Sequence, residues 1–103
     1  MDTGLLQADI KRITTAIKQF PEIENAVIFG SRAKGTHKKA SDVDLAIKGG
    51  SVTGETISRL NFLLNEELPL PYFFDVVHYE SLKNQALVEH IDRIGKTLTS
   101  FGR

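Results

Sequence analysis

A cysteine-free chain of 103 residues with 13 Lys+Arg against 13 Asp+Glu fits one domain, 1–103, with one core and little room for a second lobe. The balanced charge argues against long nucleic acid as a partner, and the lack of cysteine excludes disulfides and thiolate metal sites, compatible with a cytoplasmic location. Asp2, Asp9 and Lys11 interrupt the first apolar residues, so no signal peptide is expected, and no run approaches the ~20 apolar residues of a membrane helix.

Asp2 or Thr3 is placed to cap a first helix, in which Leu6, Ile10, Ile13, Ile17 and Phe20 recur on one face until Pro21 ends it. The apolar run Ala26-Val27-Ile28-Phe29 predicts a buried first strand over 25–29. A short helical turn follows at 31–34, closed by Gly35, and the polar, basic stretch 36–40 reads as an exposed loop. A second strand is expected over 42–48 and is broken by Gly49-Gly50-Ser51. A second long helix runs over 53–67, with Ile57, Leu60 and Leu64 inward and Phe62 and Leu63 widening that face; Pro69 and Pro71 fence its end. The aromatic and β-branched segment 72–78 predicts a third strand. Ser81 is placed to cap the last helix, where Leu87, Ile91 and Ile94 align and Gly95 fits the C′ position. Residues 96–101 can form a closing strand. The order of helices and strands implies a mixed sheet with helices packed on it, in the α/β or α+β class.

The chemistry concentrates between Phe29 and Leu45. In the second strand Asp42, Asp44 and Ala46 share one face, and Val43, Leu45 and Ile47 share the other. Two carboxylates side by side repel unless a cation lies between them. Carboxylate oxygens suit Mg²⁺, which binds through one or two carboxylates plus substrate phosphates. Upstream, Gly30 lets a ligand approach the backbone closely, and Ser31 offers a hydroxyl and a turn whose N–H groups suit an anion. Arg32, Lys34, Lys38 and Lys39 add positive charge beside it. Asp75 stands alone inside Phe73-Phe74-Asp75-Val76-Val77; buried without a partner it would cost several kcal/mol or stay protonated, whereas beside a metal it would be stabilised as a carboxylate. Together these features suggest a site for a metal-bound nucleoside triphosphate.

Gly30-Ser31, ten intervening residues, then Asp42-Val43-Asp44 resembles the motif of the nucleotidyltransferases of the DNA polymerase β superfamily. The short chain is similar to the minimal nucleotidyltransferases (MNT), many of which are antitoxins encoded beside a helical HEPN-domain toxin. The resemblance covers 26–77 by motif and the whole chain by element order. It implies a mixed-sheet nucleotidyltransferase palm flanked by helices. It implies Mg²⁺, two ions when nucleotide is bound, on Asp42, Asp44 and Asp75. The substrate implied is ATP, with Gly30 and Ser31 on its phosphates. Arg32 and Lys34 are read equally as phosphate contacts and as solvated surface. The implied reaction moves AMP onto an acceptor hydroxyl, a tyrosine of the HEPN partner. Larger relatives carry a second helical domain; the expectation here is that a partner, or self-association, supplies what that domain would.

Each assignment has a plainer counterpart. Asp42 and Asp44 can be the solvated face of an amphipathic strand, Asp75 an acid at a sheet edge, and Gly30-Ser31 a capped turn. His37, Lys38 and Lys39 read as solvated loop, and His78 and His90, which have no metal-ligand spacing, as structural. Tyr72, Phe74 and Tyr79 are expected to pack rather than stack on a base. The rival function is a non-catalytic antitoxin that occludes its partner and keeps the nucleotide site as scaffold.

Overall fold

The computed structural model describes residues 3–36 and 41–100. Asp2, His37, Lys38 and Lys39, named above as cap and loop residues, lie outside them. The elements are α1 (Gln7–Lys18), β1 (Asn25–Phe29), α2 (Ser31–Lys34), β2 (Val43–Lys48), α3 (Gly54–Phe62), β3 (Phe74–His78), α4 (Gln85–Ile94) and β4 (Lys96–Ser100). A π-helical turn, Leu63–Glu67, extends α3, and a 3-10 turn, Tyr79–Ser81, follows β3.

The strands form one mixed sheet in the order β3-β2-β1-β4. β1 runs antiparallel to β2 and β4, and β2 runs parallel to β3. A parallel pair needs a crossover, which α3 supplies. The antiparallel β1–β2 pair returns through the Gly30–Ser41 segment, so the turn after β1 and the start of β2 meet at one end of the sheet.

The two faces of the sheet have unequal cover. On one, Ile28, Val43, Leu45, Ile47, Phe74 and Val76 join Ile13 and Ile17 of α1 and Leu60 of α3 in the main core. On the other, Val27, Phe29 and Ala46 pack with Ile91 and Leu87 of α4 in a smaller cluster. The strand face that carries Asp44 is thus solvated only in part, since α4 covers its neighbours.

Several ends differ from the sequence expectation. Leu6, placed on the inward stripe of the first helix, is 66% exposed and is the N-cap of α1, without a side-chain cap bond, while Leu5 packs against the core. Thr3 caps nothing: its side chain is buried and its hydroxyl has no hydrogen-bond partner among the described residues. Phe62 is 56% exposed, on the outside of α3, because a residue two places from Leu60 points elsewhere on a helix. The cap of α4 is Asn84, which accepts from the Leu87 N–H at 3.2 Å; Ser81 instead bonds His78 Nδ1 at 2.7 Å. Gly95 does follow α4, but with φ −59 it needs no left-handed backbone. Space explains it: a Cβ there would overlap the Ile91 carbonyl oxygen and press on Val27.

One feature bears directly on β3, an edge strand. Asn65, in the π-helical turn, pairs with both backbone groups of Phe74: it accepts from the N–H at 2.7 Å and donates to the carbonyl at 3.0 Å. A side-chain amide here takes the place of a neighbouring strand and protects the edge.

Candidate active site

The parallel register sets Asp44 opposite Asp75, and the antiparallel one sets Asp44 opposite Phe29, the last residue before Gly30. Partners in register leave the same face of a sheet. One rung therefore carries two carboxylates and ends at the glycine turn. Asp44 is half-buried and its carboxyl titrates above the usual carboxylate range. Burial is the main cause, followed by the charge of Asp75 and then that of Asp42. Asp42 lies just before β2 and is exposed. Asp75 is exposed too, so the expectation of a carboxylate inside an apolar strand is corrected: β3 is an edge strand whose Asp75 side faces solvent while Phe74 and Val76 face the core.

Gly30 is required by two independent constraints. Its φ is +75, a backbone region that L side chains rarely adopt, and a Cβ on it would overlap Asp44 Oδ2. The turn backbone is thus packed directly onto the acidic rung. Ser31 follows, half-buried, at the start of α2, which ends in Gly35 with φ +80. Lys34 is exposed.

Arg32, a candidate phosphate contact, is only 1% exposed. Its guanidinium donates to the Thr3 carbonyl at 2.8 Å and to the Ser41 carbonyl at 3.2 and 2.9 Å, and it lies over the Tyr72 ring at 5.0 Å. Ser41 immediately precedes Asp42. Arg32 thereby closes the connection between β1 and β2 and fixes where the acidic strand begins. An arginine fork aimed at backbone carbonyls is a structural clamp. Tyr72 is held in turn by donating its hydroxyl to Asp9 Oδ2 at 2.8 Å.

His90, assigned only a structural part from sequence, reaches the turn. The Gly30 N–H donates to His90 Nε2 at 3.1 Å, and the imidazole stands edge-on to Phe29 at 6.1 Å. The two residues are 60 positions apart in the chain, and no spacing rule joins them. The other expected packing residues do pack: Phe74 is fully buried, and Tyr79 lies against Lys48 and Asp92. His78 sits between Ser81 and Glu80, at the far end of β3 from Asp75.

The donor set suits Mg²⁺ in kind. It is all oxygen, and the acidic rung lies against a backbone turn that only glycine can form. Among the described residues, no three His, Asp or Glu side chains are gathered closely enough to enclose an ion. Asp42, Asp44 and Asp75 are therefore not preassembled as a three-carboxylate set; Mg²⁺ held through one or two carboxylates and substrate phosphates needs no such set. A groove of about 440 Å³ along α1, lined by Lys11, Arg12, Thr15 and Gln19 among others, contains none of the candidate site residues. Among the described residues, no helix is long and apolar enough to cross a membrane.

The family model described as Polymerase beta, Nucleotidyltransferase matches residues 11–101. The chain belongs to this family. As a polymerase β-type nucleotidyltransferase domain, it has its fold in common with solved toxin–antitoxin structures. One, a toxin–antitoxin with AMP-PNP, matches with a TM-score of 0.75 and 22% identity, over 89% of this chain and 73% of that one. The MntA–HepT toxin–antitoxin matches with a TM-score of 0.70 and 20% identity, over 92% and 73%. A complex of tri-AMPylated Shewanella oneidensis HEPN toxin with MNT antitoxin matches with a TM-score of 0.70 and 20% identity, over 91% and 71%. At these identities the likeness is one of fold. No curated protein matches by sequence.

Proposed function

We propose that residues 1–103 act as a single, cytoplasmic minimal nucleotidyltransferase domain that transfers AMP from ATP to a hydroxyl of a helical HEPN toxin partner and so serves as its antitoxin. The observation that carries the reading is the pairing of Asp44 with Asp75 on one rung, packed against Gly30. The membership of the family supports nucleotidyl transfer, and the neighbours that are toxin–antitoxin complexes support the partner.

Asp42, Asp44 and Asp75 would hold Mg²⁺, which when bound neutralises the phosphates and lowers the barrier to attack on phosphorus. Gly30, whose own N–H is given to His90, would let the phosphates approach the backbone closely, and Ser31 would receive them by its N–H and hydroxyl, with Lys34 exposed nearby. The acceptor oxygen, a tyrosine hydroxyl, bonds to the α-phosphorus, and the bond from that phosphorus to the pyrophosphate oxygen breaks. Pyrophosphate leaves, and the hydroxyl proton passes to Asp75, whose carboxylate is exposed on the edge strand. The protein's own contribution is position: the sheet register holds two carboxylates, and Arg32 sets the start of the strand that bears the third.

The test is to incubate the protein with ATP, Mg²⁺ and the product of the neighbouring reading frame and to measure intact mass. A partner heavier by AMP is expected. The second reading, occlusion without catalysis, is favoured by one observation, the lack of a three-ligand cage among the described residues. It requires that a variant with Asn at 42, 44 and 75 protect cells as fully as the wild type, with no modified partner.

A further inference from the structure

We propose that His90 is a positioning residue of the transfer site, fixing the Gly30 peptide between α4 and the Asp44–Asp75 rung. The inference rests on the reading that Gly30 and Ser31 form the phosphate turn.

Gly30 has no side chain with which to fix its own orientation, and its φ of +75 lies where glycine is free to move. Two neighbours remove that freedom. Asp44 closes one side, since a Cβ there would overlap its Oδ2. His90 holds the other through the 3.1 Å bond from the Gly30 N–H to Nε2. For Nε2 to accept, the neutral ring must carry its proton on Nδ1.

The imidazole is itself anchored. Its ring lies edge-on to Phe29, with an interplanar angle of 81°. The next residue, Ile91, is 2% exposed and packs with Val27, Phe29 and Ala46. The helix that seals the second face of the sheet therefore also orients the turn. With the Gly30 N–H tied back to His90, the Phe29–Gly30 peptide that enters the turn is held between α4 and Asp44. That geometry decides whether phosphates on the turn and a cation on the rung can be held together. His90 touches neither the phosphates nor the cation in this scheme; it acts through Gly30.

The test compares His90→Phe, which keeps an aromatic ring against Phe29 but removes the acceptor, with His90→Gln, whose amide oxygen can restore it. Three quantities are measured: exchange of the Gly30 amide by NMR, affinity for Mg²⁺·AMP-PNP by calorimetry with and without the partner, and the single-turnover rate of AMP transfer. In His90→Phe, Gly30 exchange should rise and nucleotide affinity fall, each by about tenfold, the scale of one unpaired, partly buried amide. His90→Gln should recover both to within about threefold. If His90→Phe fails to fold, His90→Met carries the same comparison, with an apolar side chain of similar length. Wild-type nucleotide affinity in a folded variant that has lost the acceptor overturns the inference, even if Gly30 exchange rises. Failure of the Gln variant to recover affinity also overturns it, because packing rather than the acceptor would then matter. A wild-type protein that binds no Mg²⁺·AMP-PNP, alone or with the partner, overturns the nucleotide site itself. That result is distinguishable from wild-type binding left unchanged by the substitution, which removes His90 alone.

Discussion

Asp44 and Asp75 are register partners across a parallel strand pair, so two carboxylates meet on one rung although 31 positions separate them in the chain. The raised titration of Asp44 records the conflict, through burial first and the neighbouring charges second. Such a pair is stabilised by a cation and is unfavourable without one.

Asp44→Asn should therefore abolish transfer while making the metal-free protein more stable near neutral pH. The sign follows from linkage. The Asp44 carboxyl titrates at higher pH folded than unfolded. Above both values it is ionised in both states, and the fold carries the repulsion. As pH falls through the folded value, the native state takes up its proton first and gains stability. Thermal melts from neutral toward acidic pH should show this gain in the wild type and its loss in Asp44→Asn. A variant that keeps wild-type turnover with Mg²⁺ removes Asp44 from the metal site.

The turn should tolerate loss of a hydroxyl better than gain of a Cβ. Ser31→Ala should weaken triphosphate binding by about 1–3 kcal/mol, the range for one unpaired polar group. Gly30→Val should do more: it strains a backbone with φ +75 and drives a side chain into Asp44. Calorimetry with Mg²⁺·AMP-PNP checks both, and equal affinities in all three proteins would exclude the turn.

Arg32→Lys should behave as a structural lesion. A lysine cannot reproduce the fork onto the carbonyls of Thr3 and Ser41 or the stacking on Tyr72. A loss of stability of about 1–3 kcal/mol is expected in urea melts, as buried carbonyls lose a charged donor. Added nucleotide should not restore it. A variant of unchanged stability but weakened nucleotide binding would return Arg32 to the phosphate site.

Thr56, in the first turn of α3, secures the start of that helix. It forms a capping box with Thr53 and donates its hydroxyl to Glu22 Oε2 at 2.6 Å. Thr56→Val keeps the shape and removes the hydroxyl, and should cost about 1 kcal/mol. Glu22 titrates below its ordinary value, chiefly because of that bond and then its own backbone amide; burial opposes them, and the charge of Arg59 adds the least. Its contribution is therefore present above the unfolded pKa and is lost as pH falls through the lower, folded one. Wild type and Thr56→Val should differ most near neutral pH and converge in acid.

The fold and much of the candidate site were legible because their signals are local. Alternation in Asp42-Val43-Asp44-Leu45 separates a core face from an acidic face, and the structure keeps Val43 and Leu45 buried and Asp44 on the opposite side. The apolar stripe that includes Ile13 and Ile17 gave a packing helix, and Gly30 before Ser31 gave a turn. What the sequence by itself determined is thus which residues can form a strand, a helix or a turn, since each depends on neighbours a few positions away. Only the tertiary structure decided which of them meet. Strand order put Asp75 on an exposed edge rather than inside the core, register set it opposite Asp44, and chain return buried Arg32 under Thr3 and Ser41. Helix packing brought His90 to the Gly30 amide. These are pairings between residues remote in sequence, and no periodicity encodes them, because the free energy that selects them comes from closing the main core over one face of the sheet and the smaller cluster over the other.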